Sequence, residues 1–432
     1  MEYKLSRYNL IVDQGTDYIV YNSLKKSFTK ISKYIYDLLL SSSAINDENL
    51  QTLLDQGIIC DNEIDEEELA FAKYNSIVHD DVLRIIIMPT MNCNFRCVYC
   101  YEKHIEEKMS QETINSLLNY VEANIGNYRS LQVDWFGGEP LLCMEIIEEV
   151  NSQCLKICKN NNKLFLSLIT TNGYLLSYEN FIKLRKLHIN KFQITLDGDE
   201  KFHNLTRPLK GGYPTFNRII NNLLDIKNKC KSVFLTFLIR INISKLNIGE
   251  LSNFETKLKD LFSDDKRFVF YMRKVGDWGG EDVKSFTNNI IGEDYDINST
   301  LVKDSLISTD TQFVGFARDN ICYACKDSTL LIHPNGNVSK CTVDLYSDYN
   351  IIGKLDKNGQ INYNNNTLVD RVKNAYLDDK CRLCTLYANC FNTFCLSKMV
   401  INGGTRSSNC LNKPNELKKI YEINPEAFKE IY

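Results

Sequence analysis

From residue 82 to residue 274 the sequence keeps changing period. "VLRIIIMPT", "LQVDWFGGEP", "LFLSLITTNGYLL", "INKFQITLDG", "SVFLTFLIRINIS" and "RFVFYMRKVG" are short runs rich in branched and aromatic residues, and read as strands. Between them lie stretches with helical periodicity: "SQETINSLLNYVEANIG", "MEIIEEVNSQCLKICKN", "YENFIKLRKLH", "TFNRIINNLLDIKNK" and "NIGELSNFETKLKDLF". Ser110 is placed to cap the first of these and Gly126 to stop it. Six βα repeats imply parallel strands with helices outside, so the fold class is α/β, a partial (β/α)6 barrel. Six falls short of the eight units of a closed barrel. Functional groups in such folds sit just past the strand C-termini. Four unusual segments lie there: the cysteines of "MPTMNCNFRCVYCYEKH", then "GGEP", "TTNG" and "TLDG".

Cys93, Cys97 and Cys100 fall within eight residues. A cubane [4Fe–4S] cluster normally takes four thiolates. Three from one loop would hold three irons and leave the fourth open to chelate a small ligand. Four-coordinate structural zinc is the competing reading, with His104 as the nearby fourth ligand. Spacing alone leaves both open.

Compartment bears on the other thiols. "MEYKLSRYNLIVDQ" lacks the apolar core of a secretion signal, and no apolar run approaches the roughly 18 residues of a membrane span. The default location is the cytoplasm, where thiols stay reduced and disulfides are rare. Eleven of the 16 cysteines are gathered at short spacings: the trio, then Cys322, Cys325, Cys341, Cys381, Cys384, Cys390, Cys395 and Cys410. They read as metal or cluster ligands. Cys60, Cys143, Cys154, Cys158 and Cys230 are scattered; Cys154 and Cys158 share a helix face and read as small buried apolar residues. With 44% hydrophobic and 25% charged residues, a net charge of −4 and no basic run, neither a nucleic-acid surface nor a membrane partner is expected.

The chain divides into residues 1–80, 81–285, a connector at 286–320, a cysteine-rich segment at 321–412, and a C-terminal helix at 413–432 broken before Pro425. In the first part "YNLIVDQ", "DYIVYNSL" and "SFTKIS" read as three strands. Two helices follow, the second capped by Asp47 and stopped by Gly57, and then an acidic connecting helix. Such a unit is either a packing appendage or a peptide-docking module whose sheet edge accepts an extended segment. Residues 321–412 show little regular pattern and can be held by metal ligation.

"CNFRCVYC", with Tyr99 before its last cysteine, resembles the signature of radical S-adenosylmethionine enzymes, which implies a TIM-like partial barrel. "GGEP" resembles the family motif that meets the methionyl amine, through Gly137, Gly138 and Glu139. "TLDG" and "FHNLTRP" resemble its ribose and carboxylate contacts, through Thr195 and Arg207. Order and spacing fit over residues 82 to about 275. Glu139 and Arg207 have a plainer alternative as a structural salt bridge. In the family, one electron from the cluster cleaves S-adenosylmethionine to a 5′-deoxyadenosyl radical, which takes an otherwise inert hydrogen.

The later cysteines resemble the SPASM extension with its two auxiliary [4Fe–4S] clusters, so the resemblance implies three clusters in all. Its interleaved pattern assigns Cys322, Cys325, Cys341 and Cys395 to one cluster and Cys381, Cys384, Cys390 and Cys410 to the other. Two departures bear on that partition: four residues separate Cys390 from Cys395 where three are usual, and Cys322 lies unusually close to Cys325. A pair of zinc sites is the alternative. An auxiliary cluster could accept the second electron released when a substrate bond closes oxidatively.

The N-terminal unit resembles the winged-helix-like leader-binding module of peptide maturases, with the leader adding as a strand near "SFTKIS". The implied enzyme abstracts a hydrogen from a ribosomally made precursor peptide and forms a cross-link. A cysteine thioether, as in sactipeptide and ranthipeptide maturases, is the leading form. Carbon–carbon or carbon–oxygen coupling, epimerisation and formylglycine formation on a sulfatase are alternatives, as is a non-enzymatic zinc or electron-carrier protein. An electron donor such as ferredoxin or flavodoxin is implied.

Overall fold

The computed structural model describes residues 2–41, 46–292, 307–309, 322–364, 383–390 and 413–432. It separates into two compact units, one of residues 1–80, 311–327 and 369–432, the other of 81–310 and 328–368.

In the first unit, β1 (Tyr3–Leu5) pairs antiparallel with β5 (Ile59–Asp61). Neither was foreseen. β2 (Asn9–Asp13), β3 (Asp17–Asn22) and β4 (Ser27–Ser32) form the expected antiparallel meander. α1 (Lys33–Leu40) and α2 (Asp47–Asp55) follow. Asn46, not Asp47, caps α2, its side-chain oxygen accepting from the Asn49 N–H at 2.8 Å. Asp47 sits one place further on, inside the positive end of the helix. Gly57 stops the helix at φ +70°. The acidic stretch forms α3 (Glu66–Val78), with Asp65 accepting from Glu67 and Glu68 N–H groups.

One expectation is overturned. The β4 edge, read as open to an incoming strand, is already paired. Lys429–Ile431 lies parallel to it, Thr29 beside Lys429 and Ile31 beside Ile431. Three residues are too few to leave a period in the sequence. On one face of this sheet Ile35 and Leu53 pack with Val20, Ile31 and Ile431. On the other, Leu417 and Ile420 of the Lys413–Ile423 helix pack with Phe428 against Val12, Tyr21 and Phe28.

The second unit is one sheet. β6 (Val82–Ile87), β7 (Ser130–Trp135), β8 (Leu164–Thr171), β9 (Ile189–Leu196), β10 (Thr236–Ile243) and β11 (Phe268–Lys274) lie side by side in chain order, all parallel. Between them run α4 (Gln111–Asn124), α5 (Met144–Asn160), α6 (Tyr178–Lys186), α7 (Glu200–Thr206), α8 (Phe216–Lys229) and α9 (Leu251–Phe262). The short α7 was not anticipated. The sheet also runs past the expected six strands. β12 (Ile307–Thr309) adds parallel to β11, and β13 (Thr329–Ile332) adds parallel to β6. β14 (Asn337–Ser339), β15 (Ile351–Leu355) and β16 (Ile361–Tyr363) continue antiparallel from β13. Part of the stretch read as irregular is therefore sheet. Its strands are short, and turn residues dominate the pattern between them.

Residues of one parity in these strands, such as Leu131, Val133 and Trp135, join Leu117, Ile147 and Phe181 from the helices in one core. The opposite parity is more open: Leu164, Leu166 and Val269 are exposed. An aromatic stack sits in the core, with the Phe237 ring 5.3 Å from Phe192 and 4.7 Å from Phe268. Phe237→Ala should lower stability by about 3–5 kcal/mol. Phe234→Ala, on an 82% exposed side chain three residues away, should change it by less than about 0.5 kcal/mol. Thermal unfolding of the two variants checks the difference.

Candidate functional site

The loop after β6 carries the three cysteines, and its shape is held by backbone. The N–H groups of Arg96 and Val98 donate to the carbonyls of Pro208 and Thr206 at 2.9 and 3.0 Å. Lys210 N–H donates to the Asn94 carbonyl at 2.8 Å. The cysteine loop is thus zipped to the segment after α7, which carries Arg207. On its other side lies the Gly-Gly turn after β7. Gly138 has φ +46°, and a Cβ there would stand 2.1 Å from the Asn92 carbonyl oxygen. Only glycine allows this approach. The turn is fastened by Glu139 N–H donating to Asn92 at 2.9 Å and Gly138 N–H donating to the Glu102 carboxylate at 2.7 Å.

These contacts border an open cleft at the C-terminal ends of the parallel strands. Of the residues expected in the site, Cys93, Cys97, Cys100, Tyr99, Gly137, Gly138, Thr195 and Arg207 all line it. Glu139 does not. Its carboxylate is fully buried, accepting from Thr171 Oγ1 (2.7 Å), Asn172 N–H (2.7 Å) and Leu141 N–H (3.0 Å). There it ties the ends of β7 and β8 together. The expected salt-bridge alternative for Glu139 and Arg207 does not form. Arg207 Nη1 instead donates to the Tyr99 hydroxyl at 2.9 Å. Asn242 donates to the same oxygen at 3.0 Å, and Tyr99 in turn donates to Asp197.

Three observations bear on what the cleft could hold. First, the thiols face a shared space and two meet backbone donors: Phe95 N–H lies 3.4 Å from Cys93 Sγ, and Glu102 N–H meets Cys100. Such donors favour thiolate. Second, Arg207 Nε is buried without a hydrogen-bond partner. Its guanidinium keeps its charge: burial works against it, but the Asp197 carboxylate lies close by. A buried cation with a free donor suits a carboxylate. Third, a single zinc ion would need a fourth protein ligand beside the three thiols. His104, the suggested fourth zinc ligand, lines the cleft with neither ring nitrogen hydrogen-bonded. The residues fit a cluster held by three thiolates with a carboxylate-bearing ligand beside it.

Several lining residues escaped the sequence reading. Gln193 precedes Thr195 on the same face of β9, and Arg240 and Asn242 face it from β10. Period-2 alternation would have found them once Thr195 was placed. Glu102 is half-buried, and burial lifts its carboxyl to about 7 against the Gly138 N–H. Trp278 arrives from the loop after β11 with no motif to mark it.

The later cysteines are less completely described. In the first unit, Cys322 and Cys325 flank a helical turn, with Cys325 N–H donating to the Cys322 carbonyl at 2.9 Å. In the same unit Cys384 is exposed and Cys390 half-buried. In the second unit Cys341 is buried, and Val343 N–H lies 3.4 Å from its sulfur. Cys381, Cys395 and Cys410 lie outside the described residues.

Residues 87–248 match the family model of the Radical SAM superfamily. The chain is 25% identical over 291 residues to the radical SAM cyclopropyl synthase TigE of Paramaledivibacter caminithermalis, covering 57% of this chain and 61% of that protein. It is 30% identical over 149 residues to a cysteine-type anaerobic sulfatase-maturating enzyme of Clostridium perfringens, covering 32% and 39%. The chain spans about half the length of the curated relatives it matches. Streptococcus suis SuiB bound to its precursor peptide SuiA has a similar fold, with a TM-score of 0.52 at 16% identity, covering 95% of this chain and all of that one. No helix among the described residues is long and apolar enough to cross a membrane.

Two outcomes test this geometry. Gly138→Ala should cost on the order of 1–3 kcal/mol in backbone strain alone, and more from the clash, with loss of iron from the reconstituted chain. Gly212→Ala, also at positive φ but with nothing within 4 Å, should keep its iron. Iron analysis of both checks this. Burial also pushes the Cys93 thiol up to about 12 and raises those of Cys97 and Cys100. The metal-free thiols are therefore neutral at neutral pH, and ligation must release their protons. Iron and sulfide loading should acidify a weakly buffered solution and strengthen as pH rises; titration of released protons measures it.

Proposed function

We propose that the chain is a radical S-adenosylmethionine peptide maturase that forms a cross-link in a ribosomally made precursor, with a cysteine thioether as the product. The observation that carries this reading is the cleft in which Cys93, Cys97, Cys100 and Arg207 meet at the strand C-termini. Cys93, Cys97 and Cys100 would hold a [4Fe–4S] cluster. Arg207 Nε would take the carboxylate of S-adenosylmethionine, and Thr195 its ribose. Tyr99, Gly137 and Gly138 would complete the wall around it, and Glu139 would act from beneath by holding the turn. Together the cluster and S-adenosylmethionine would supply a carbon radical able to take an unactivated hydrogen atom.

The chain's own residues then orient and shield. Tyr99 and Asn242 fix the Arg207 guanidinium, so it need not reorganise when an anion arrives. Gln193, Arg240 and Trp278 line the cleft where a substrate side chain would approach. We assign two auxiliary clusters to Cys322, Cys325, Cys341 and Cys395, and to Cys381, Cys384, Cys390 and Cys410. They would receive the second electron when the new bond closes. Residues 1–80 would dock the precursor, and a ferredoxin or flavodoxin would reduce the chain.

Carbon–carbon bond formation is the second reading, supported by the relative named as a cyclopropyl synthase. Mass spectrometry of a candidate peptide incubated anaerobically with reconstituted chain and S-adenosylmethionine tests both. Loss of two hydrogens supports a cross-link, and fragmentation then separates sulfur–carbon from carbon–carbon. Unchanged mass with deuterium uptake would point to epimerisation. Cys97→Ala should abolish every product, and retained turnover would refute the role given to the loop.

A further inference from the structure

We infer that Arg240 and Gln193 form a carboxylate-binding site in the cleft, so that the peptide entering it brings a carboxylate. This deepens the peptide-substrate reading above, on which the identity of the ligand rests. Arg240 stands on β10 between Thr195 of β9 and Tyr271 of β11, its partners in register. The side chain lines the cleft and is half-buried. Its Nε donates to Asn242 Oδ1 at 2.7 Å, and among the described residues this is the side chain's one hydrogen bond. Both terminal nitrogens are left over, and no described carboxylate pairs with them. Gln193 accepts from the Tyr271 hydroxyl at 3.2 Å through Oε1, which leaves its NH2 group without a described partner. Neighbouring strands thus offer unused donors from two side chains that line the same cleft.

A guanidinium with both terminal nitrogens free matches a carboxylate in a two-pronged contact. Charge points the same way. Among the described residues lining the cleft the one carboxylate is Glu102, which already accepts from Gly138 N–H at 2.7 Å. Asp197 feels the Arg240 charge but bonds elsewhere, to Tyr99 and Thr206. Asn242 joins the two arginines of the cleft. Its Oδ1 accepts from Arg240, and its Nδ2 donates to the Tyr99 hydroxyl that also accepts from Arg207. One chain of hydrogen bonds therefore fixes both guanidinium groups before a ligand arrives, which spares the cost of ordering them. Arg207 is buried and Arg240 more open, so the two divide between the cofactor and the substrate. An acidic side chain and a peptide C-terminus share the chemistry that Arg240 recognises.

The test is calorimetric titration of the full chain, loaded with iron, sulfide and S-adenosylmethionine, with three tripeptides. Acetyl-Gly-Glu-Gly-amide carries a side-chain carboxylate, acetyl-Gly-Gly-Gly a terminal one, and acetyl-Gly-Gln-Gly-amide none. A carboxylate probe should bind about tenfold or more tighter than the glutamine probe, and which of the two does so names the source. Arg240→Gln should remove that preference, and Gln193→Leu should weaken it. Arg240→Glu should instead favour acetyl-Gly-Lys-Gly-amide, a reversal that a merely structural role would not produce. Should these variants misfold, the unmodified chain still answers: the favoured carboxylate probe should protect Arg240 from p-hydroxyphenylglyoxal, mapped by peptide mass. Equal binding of the three probes, a preference that survives Arg240→Gln, or S-adenosylmethionine binding lost together with it in that variant would each overturn the inference. None of these readouts needs turnover. A carboxylate-selective cleft in a chain that modifies no peptide would retain the site and refute the maturase reading. A cross-linked product formed equally fast by Arg240→Gln would do the reverse.

Discussion

The site depends on one close approach. The Gly138 backbone lies so near the Asn92 carbonyl that no side chain fits between them. This lets the turn after β7 lock against the cysteine loop after β6. On the loop's other side, two backbone hydrogen bonds fasten it to residues 206–208. A loop held on both flanks can present three thiols without a metal to organise it first. Preorganisation of this kind spares the cost of ordering the loop when a ligand arrives.

Below the loop a polar layer does the same for charge. Arg207 is buried, which would be costly for a cation alone. Tyr99, Asp197 and Asn242 form a connected set around it, and Thr206 adds a 2.8 Å bond to Asp197. Two buried atoms of this set remain unpaired, Asp197 Oδ1 and the Nε of Arg207, a residue lining the cleft. Glu139 plays a quieter part. Its three hydrogen bonds join neighbouring strand ends, so its influence on the cleft is exerted through the backbone.

Much of this was legible beforehand. The six parallel strands and their long helices follow from periodicity, because each helix buries one face and each strand one parity. Cys93, Cys97 and Cys100 stood out because three thiols within eight residues have few structural uses, and Arg207 through the motif that its segment resembles. Gln193, Arg240 and Asn242 did not, since a polar residue within a strand has the same local pattern whether it faces solvent or a cleft. Trp278 and Glu102 became site residues only when loops from different strands met. Short elements were lost for another reason. β1, β5, β12 and the strand at Lys429–Ile431 have three residues each, less than two periods of any pattern.

The sequence by itself determined the α/β alternation, the thiol trio and the motif residues that follow successive strands, because these are encoded in local spacing and residue type. Tertiary structure alone decided that Glu139 sits beneath the cleft, that Arg207 pairs with Tyr99, and that the β4 edge is already covered. Each of those depends on which distant backbone closes over a given side chain or strand. Long-range packing sets that, and no short window of sequence contains it.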